Sequence, residues 1–256
     1  MLKFISFIGM LAATPLAAQN CALLCDAENW MAGDPQFILD AIAAGEDVNA
    51  TPEGASPPLV KAIMIGLVDT VQPLLDAGAN PNITDSYGTT ALLAASNAPD
   101  TGIIPLLIAA GADVNAANAR GETALHFAAA GIITPQYLPL LLNAGADVNA
   151  VDAEGNTALH MLAKISTMTG APYLIAANAA ILLNAGVGLN VQNNEGQTAL
   201  HIAATDRTPL LVSQLLAAGA DGSLRDTKGR TAFMLAAELM HFNKFPQVWA
   251  ALEAAQ

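Results

Sequence analysis

The stretch GETALHFAA, residues 121–129, returns as GNTALHMLA at 155–163 and as GQTALHIAA at 196–204, each time with a histidine (His126, His160 or His201) after Thr-Ala-Leu. The glycine opening each copy belongs to a longer series, Gly54, Gly88, Gly121, Gly155, Gly196 and Gly229, spaced 34, 33, 34, 41 and 33. Outward again, Ala-Gly pairs ending at Gly45, Gly78, Gly111, Gly145, Gly186 and Gly219 keep the same register, spaced 33, 33, 34, 41 and 33. Two independent markers sharing one period and one expansion establish an array of short units.

Each unit reads as a helix pair. Thr123, Thr157, Thr198 and Thr231 stand where a hydroxyl caps a helix N-terminus. Leu125, Leu159 and Leu200 point inward, and Ala128 and Ala129 are small enough for helices to approach. Leu138 to Leu142 forms an antiparallel mate ended by Gly145 as a left-handed cap, and NAVDAEG from residue 149 reads as an exposed turn. One pair cannot bury its apolar face alone, so neighbours must stack.

The unit GxTALHxAA followed by LLxAGADVNA resembles the ankyrin repeat, with TALH where that family has TPLH. The resemblance runs from about residue 21 to the C-terminus. It implies an all-α solenoid of stacked antiparallel helix pairs joined by β-turn or hairpin loops. The expected division is a signal peptide (1–18), an N-terminal cap (19–49), repeats at 50–82, 83–115, 116–149, 150–190 and 191–223, and a C-terminal cap (224–256). In the repeat at 150–190 the stretch KISTMTGAPYLIAAN adds about eight residues relative to the shortest units, expected in the turn between its helices and tolerated because lengthening a loop costs little entropy. That insertion around Met168 to Tyr173 is read first as drift and second as a partner-contacting protrusion.

The N-terminus differs in kind. Lys3, an apolar run from Phe4 to Ala13, Pro15 and the small residues Ala17 and Ala18 follow the order of a secretory signal peptide cut after Ala18. A retained anchor is disfavoured by the short, proline-bearing run, and a lipoprotein by Ala18, Gln19 and Asn20 before Cys21. The expected location is therefore exported, periplasmic or extracellular, with no membrane insertion after cleavage. Removing residues 1–18 takes away Lys3, leaving 8 Lys and Arg against 22 Asp and Glu, which changes the net charge from −13 to −14. Such a chain repels phosphate backbones, so nucleic acid is excluded as a partner and a basic protein is favoured. Cys21 and Cys25, in an oxidising compartment, are expected to form a small disulfide staple, with two free thiols as the alternative.

Three recurring histidines invite a metal or catalytic reading, but stacked helices about 8–10 Å apart cannot bring them to one ion. The ankyrin resemblance implies a structural clasp for His126, His160 and His201, each ring bonding near its threonine and the adjoining turn. Asp85, Asp152 and Asp226 recur three residues before the motif glycine, which marks them as turn formers. The sequon at Asn82 falls in the same kind of turn and reads as incidental. No nucleophile elbow, P-loop, HExxH or dinucleotide fingerprint occurs, so no catalytic residue, metal or cofactor is expected.

What varies between copies is the surface. By the same resemblance, partner contacts are expected at turn tips and first-helix ends: Glu53, Tyr87, Thr89, Arg120, Glu122, Glu154, Asn156, Lys164, Asn194, Glu195, Gln197, Asp206, Lys228 and Arg230. The expected function is non-catalytic binding of another protein, from a chain that is monomeric without it. An inhibitor or immunity protein against a periplasmic toxin or enzyme is the sharper alternative; a secreted effector and a histidine-dependent enzyme stand behind it.

Overall fold

In the computed structural model the described residues are 21–51, 55–98, 102–131, 136–165, 172–205, 208–239 and 246–255. Glu53, Asp206, residues 168–171 of the insertion and the proposed leader lie outside them. The described helices are α1 (Ala27–Ala32), α2 (Gln36–Ala43), α3 (Pro58–Met64), α4 (Val71–Asp76), α5 (Ala91–Ser96), α6 (Ile103–Ala109) and α7 (Ala124–Ala130). They continue with α8 (Tyr137–Asn143), α9 (Ala158–Ala163), α10 (Pro172–Asn184), α11 (Ala199–Thr205), α12 (Pro209–Ala217), α13 (Ala232–Leu239) and α14 (Pro246–Ala254).

Local chemistry sets where these helices start and stop. Thr90 Oγ1 accepts the Leu93 N–H and begins α5, while Thr123 and Thr157 form reciprocal capping boxes with His126 and His160. Gly145, at φ +93°, lets the chain turn left-handed after α8, and its N–H reaches the Leu142 carbonyl.

First helices pack on first helices and second helices on second, so one leucine from each makes a continuous core. Leu59, Leu92, Leu125, Leu159 and Leu200 form one buried file, and Leu74, Leu107, Leu141, Leu182 and Leu215 form the other. Each fully buried leucine contributes roughly 1.5–3 kcal/mol. Buried Ala62, Ala95, Ala128, Ala163 and Ala203 keep the first-helix layer thin.

Both ends close with aromatics. Trp30 packs edge-on against Phe37 at 4.9 Å, donates its indole N–H to the Leu24 carbonyl, and lies beneath the Lys61 ammonium. Burial lowers the Lys61 pKa. The Glu46 carboxylate accepts the Leu23 and Leu24 N–H groups, holding the segment in which the Cys21 and Cys25 sulfurs meet. At the far end Phe233 packs against Trp249 at 4.9 Å over buried Leu252.

The extra residues of the long unit are placed differently from expectation. Six of them lengthen the second helix, since α10 has 13 residues where α8 has 7. Leu174 to Ala180 contains no glycine and one internal asparagine, so the added stretch continues the helix. Among the described residues no helix is long and apolar enough to cross a membrane.

Candidate interaction surface

The recurring histidines are fully engaged. His126 Nδ1 accepts the Thr123 N–H at 3.1 Å and lies 2.9 Å from Thr123 Oγ1. A backbone N–H can only donate, so Nδ1 is bare and Nε2 carries the proton, given to the Asn156 carbonyl at 3.0 Å. His160 repeats this with Thr157 and the Gln197 carbonyl, and His201 with Thr198 and the Arg230 carbonyl. Each ring therefore ties its own helix to the turn of the next unit. Burial holds the pKa of His160 and of His201 below the ordinary imidazole range. Among the described residues no group of three or more His, Cys, Asp or Glu is placed to hold a metal ion.

The turn acids are equally occupied. Asp85, Asp152 and Asp226 each accept two turn N–H groups through Oδ1, and Asn118 and Asn193 do the same in their turns. For Asp152 burial pushes the carboxyl up, but hydrogen bonds from Asn156 and Glu154 outweigh it and hold the pKa low. At Asp226 burial again works upward, and the Arg230 backbone and guanidinium overcome it.

The glycine divides each tip into an outward and an inward position. Tyr87, Arg120, Glu154, Glu195 and Lys228, just before it, are exposed. Their carbonyls supply the fixed contact: Tyr87, Arg120, Glu154 and Glu195 accept the N–H of Ala119, Ala153, Asn194 and Thr227 at 2.8–2.9 Å. A backbone link leaves the side chain free to vary. Gly196 itself cannot carry a side chain, because φ is +72° and a Cβ would lie 2.8 Å from the Thr227 nitrogen.

The residue after the glycine turns inward, which corrects two expected contacts. Glu122 is 8% exposed and Asn156 1%. Glu122 accepts from the Asn118 amide at 2.8 Å and pairs with Arg120 at 2.7 Å, while Asn156 donates to both Asp152 oxygens. Arg230 is half-buried on Asp226 at 2.7 Å, with Glu238 at 3.5 Å, and Thr89 and Gln197 are also half-buried. The pairs are complementary: asparagine 118 faces an acceptor, and aspartates 152 and 226 face donors. That four-residue covariation was present in the sequence as the signal for an inward side chain. Asn194, Lys164 and Lys228 are exposed.

A second clamp was hidden in the constant part of the motif. Asn49, Asn82 and Asn115 each donate Nδ2 to the next unit's glycine carbonyl (Gly78, Gly111, Gly145) and accept from Asn80, Asp113 and Asp147 N–H through Oδ1. Asn149 and Asn190 accept in the same way from Gly188 and Asp221. The Asn82 sequon amide is thus already used between units.

Among the described residues a cleft of ≈ 1000 Å³ lies between tips and first helices in the N-terminal half. Met64 and Ile65 at the end of α3, Phe127 of α7 and the tip residues Tyr87 and Arg120 line it. Met64, Ile65 and Tyr87 are 62%, 44% and 74% exposed. Met64 and Ile65 lack the polar variation expected at first-helix ends. Their signal is apolarity where other units place Asn97 or Lys164.

Comparison with known proteins agrees with this architecture. A model of ankyrin repeats in three copies matches residues 59–152, 92–179 and 173–245. The chain belongs to the ankyrin-repeat family. A solved structure, described as the ankyrin repeat domain of Bcl-3, "a unique member of the IkappaB protein family", superposes with a TM-score of 0.68 at 27% identity. The match covers 88% of this chain and 95% of that one. Ankyrin repeats bind other proteins, and the stack is the scaffold for such contacts.

Proposed function

We propose that this ankyrin-repeat chain is an exported, non-catalytic protein that grips another protein in the cleft between its tips and first helices. The cleft carries the reading: three large apolar side chains stand exposed on one concave surface, and such patches on soluble proteins mark interaction sites. The histidines support the absence of catalysis, because both nitrogens of each are already committed. The N-terminal leader and the meeting of Cys21 and Cys25 support export and a disulfide staple.

Capture of partners with the wild-type chain and with a Tyr87→Ala/Glu154→Ala/Glu195→Ala variant tests the surface. Loss of the captured protein is expected, and full retention would place the contact elsewhere. Cell fractionation with N-terminal sequencing should find a chain starting at Gln19 outside the cytoplasm, with no reactive thiol before reduction. The charge of −14 on the chain without residues 1–18 (8 Lys and Arg against 22 Asp and Glu) favours the narrower role of capturing and neutralising a basic toxin or enzyme, since opposite charge speeds encounter.

A further inference from the structure

The cleft opens onto a row of tips whose chemistry changes in a fixed order. At its N-terminal end Met64, Ile65, Tyr87 and Phe127 offer an apolar seat. The next tip bears Arg120, whose charge is taken up locally: Nη2 is 2.7 Å and Nε 2.9 Å from Glu122. Beyond it come Glu154 and Glu195, both exposed and without an ion-pair partner among the described residues. Lys228, exposed at the following tip, ends the acidic stretch. The surroundings of the seat add to this field: residues 19–119 hold 12 Asp and Glu against Lys61 alone.

We infer, building on the binding role proposed for this cleft, that its occupant is an extended, basic segment of the partner protein with one large apolar anchor. The tip-to-tip hydrogen bonds advance the row one helix layer at a time, about 8–10 Å per layer. Glu154 is two layers from Tyr87, so about 16–20 Å, which an extended chain at about 3.3 Å per residue covers in five or six residues. Glu195 lies one layer further, about three residues on. The segment therefore carries a large apolar residue, then Lys or Arg five or six positions away, then a second Lys or Arg about three beyond. The neutralised Arg120 explains why a cation can pass that tip. An acidic segment would meet unpaired carboxylates at two successive layers.

The test is to pan the purified chain against a displayed library of random linear peptides about 14 residues long, enough to span three layers. Enriched peptides should show the apolar and two basic positions at that spacing. Their binding should be lost with Tyr87→Ala, and weakened about fivefold with reduced salt dependence by Glu154→Gln/Glu195→Gln. Circular dichroism melts of the variants confirm that these exposed substitutions leave the fold in place. Peptides that need Tyr87 but lack the basic pair would overturn the inference and leave the cleft reading standing; so would failure to enrich any linear peptide. Peptides indifferent to both Tyr87→Ala and Met64→Ser would overturn the inference and the cleft reading together.

Discussion

Replacing His160 with leucine separates the two things the ring does. Leucine already stands at the corresponding place in α5, where Leu93 is buried, so the substitution keeps an apolar side chain in a position that accepts one. What it removes is the bond from Nε2 to the Gln197 carbonyl and the acceptor for the Thr157 N–H. Leaving buried groups unpaired costs about 1–3 kcal/mol, the expected destabilisation at pH 7.5. The acid behaviour moves the other way. Burial lowers the pKa of His160 and His201 in the folded chain below the 6.5 of an unperturbed ring. Below pH 6.5 the unfolded chain binds protons that the folded chain refuses, so stability is fully present above 6.5 and falls as pH falls toward the folded values. Between pH 7.5 and 5.5 each ring costs at most about 1.4 kcal/mol. Asp152 and Asp226, lowered from 3.8, lose their stabilising contribution only at more acid pH and do not enter this window. Urea unfolding at pH 7.5, 6.5 and 5.5 should therefore show His160→Leu less stable than wild type at neutrality but less sensitive to acid. His160→Leu/His201→Leu should lose up to about 2.7 kcal/mol of acid sensitivity. An unchanged pH dependence in the double variant would refute the clasp as described.

Three further perturbations test the geometry around the tips. Glu122→Ala should destabilise by about 1–3 kcal/mol in urea unfolding because Asn118 loses its buried acceptor, whereas Glu154→Ala, on the exposed tip, should change stability by less than about 0.5 kcal/mol. Gly196→Ala should cost about 2 kcal/mol or more, through left-handed strain and the approach to Thr227, and lower the melting temperature. Asn115→Ala, which removes a donor and an acceptor joining two units, should cost about 1 kcal/mol and raise amide exchange at Asp147.

The array was legible from sequence because its constraints are periodic. A threonine that must cap, a leucine that must be buried and a glycine that must turn left-handed recur every 33 or 34 residues, with one interval of 41. The direction of a turn side chain is not a property of the residue alone. Glu122 and Asn156 looked like variable tip residues, yet they fold back because the residue four before offers a complementary partner. The asparagine clamps escaped notice for the opposite reason: Asn82 and Asn115 are constant and polar, as ordinary turn formers are, and their partners lie about thirty residues away. The extra residues of the long unit were assigned to a loop, where their helix-compatible composition instead extends α10. The cleft needed three dimensions, since Met64, Tyr87 and Phe127 come from three successive units.

The central claim is that the cleft beneath Tyr87 holds the partner. Benzoylphenylalanine placed at position 87, and separately at position 173, followed by irradiation of cells producing the protein, tests it most directly. Tyr173 is 84% exposed on the first turn of α10 and does not line the cleft, so it reports non-specific contact. The account predicts a discrete cross-linked protein from position 87 and none from position 173. Cross-linking at 173 with nothing at 87 would contradict it.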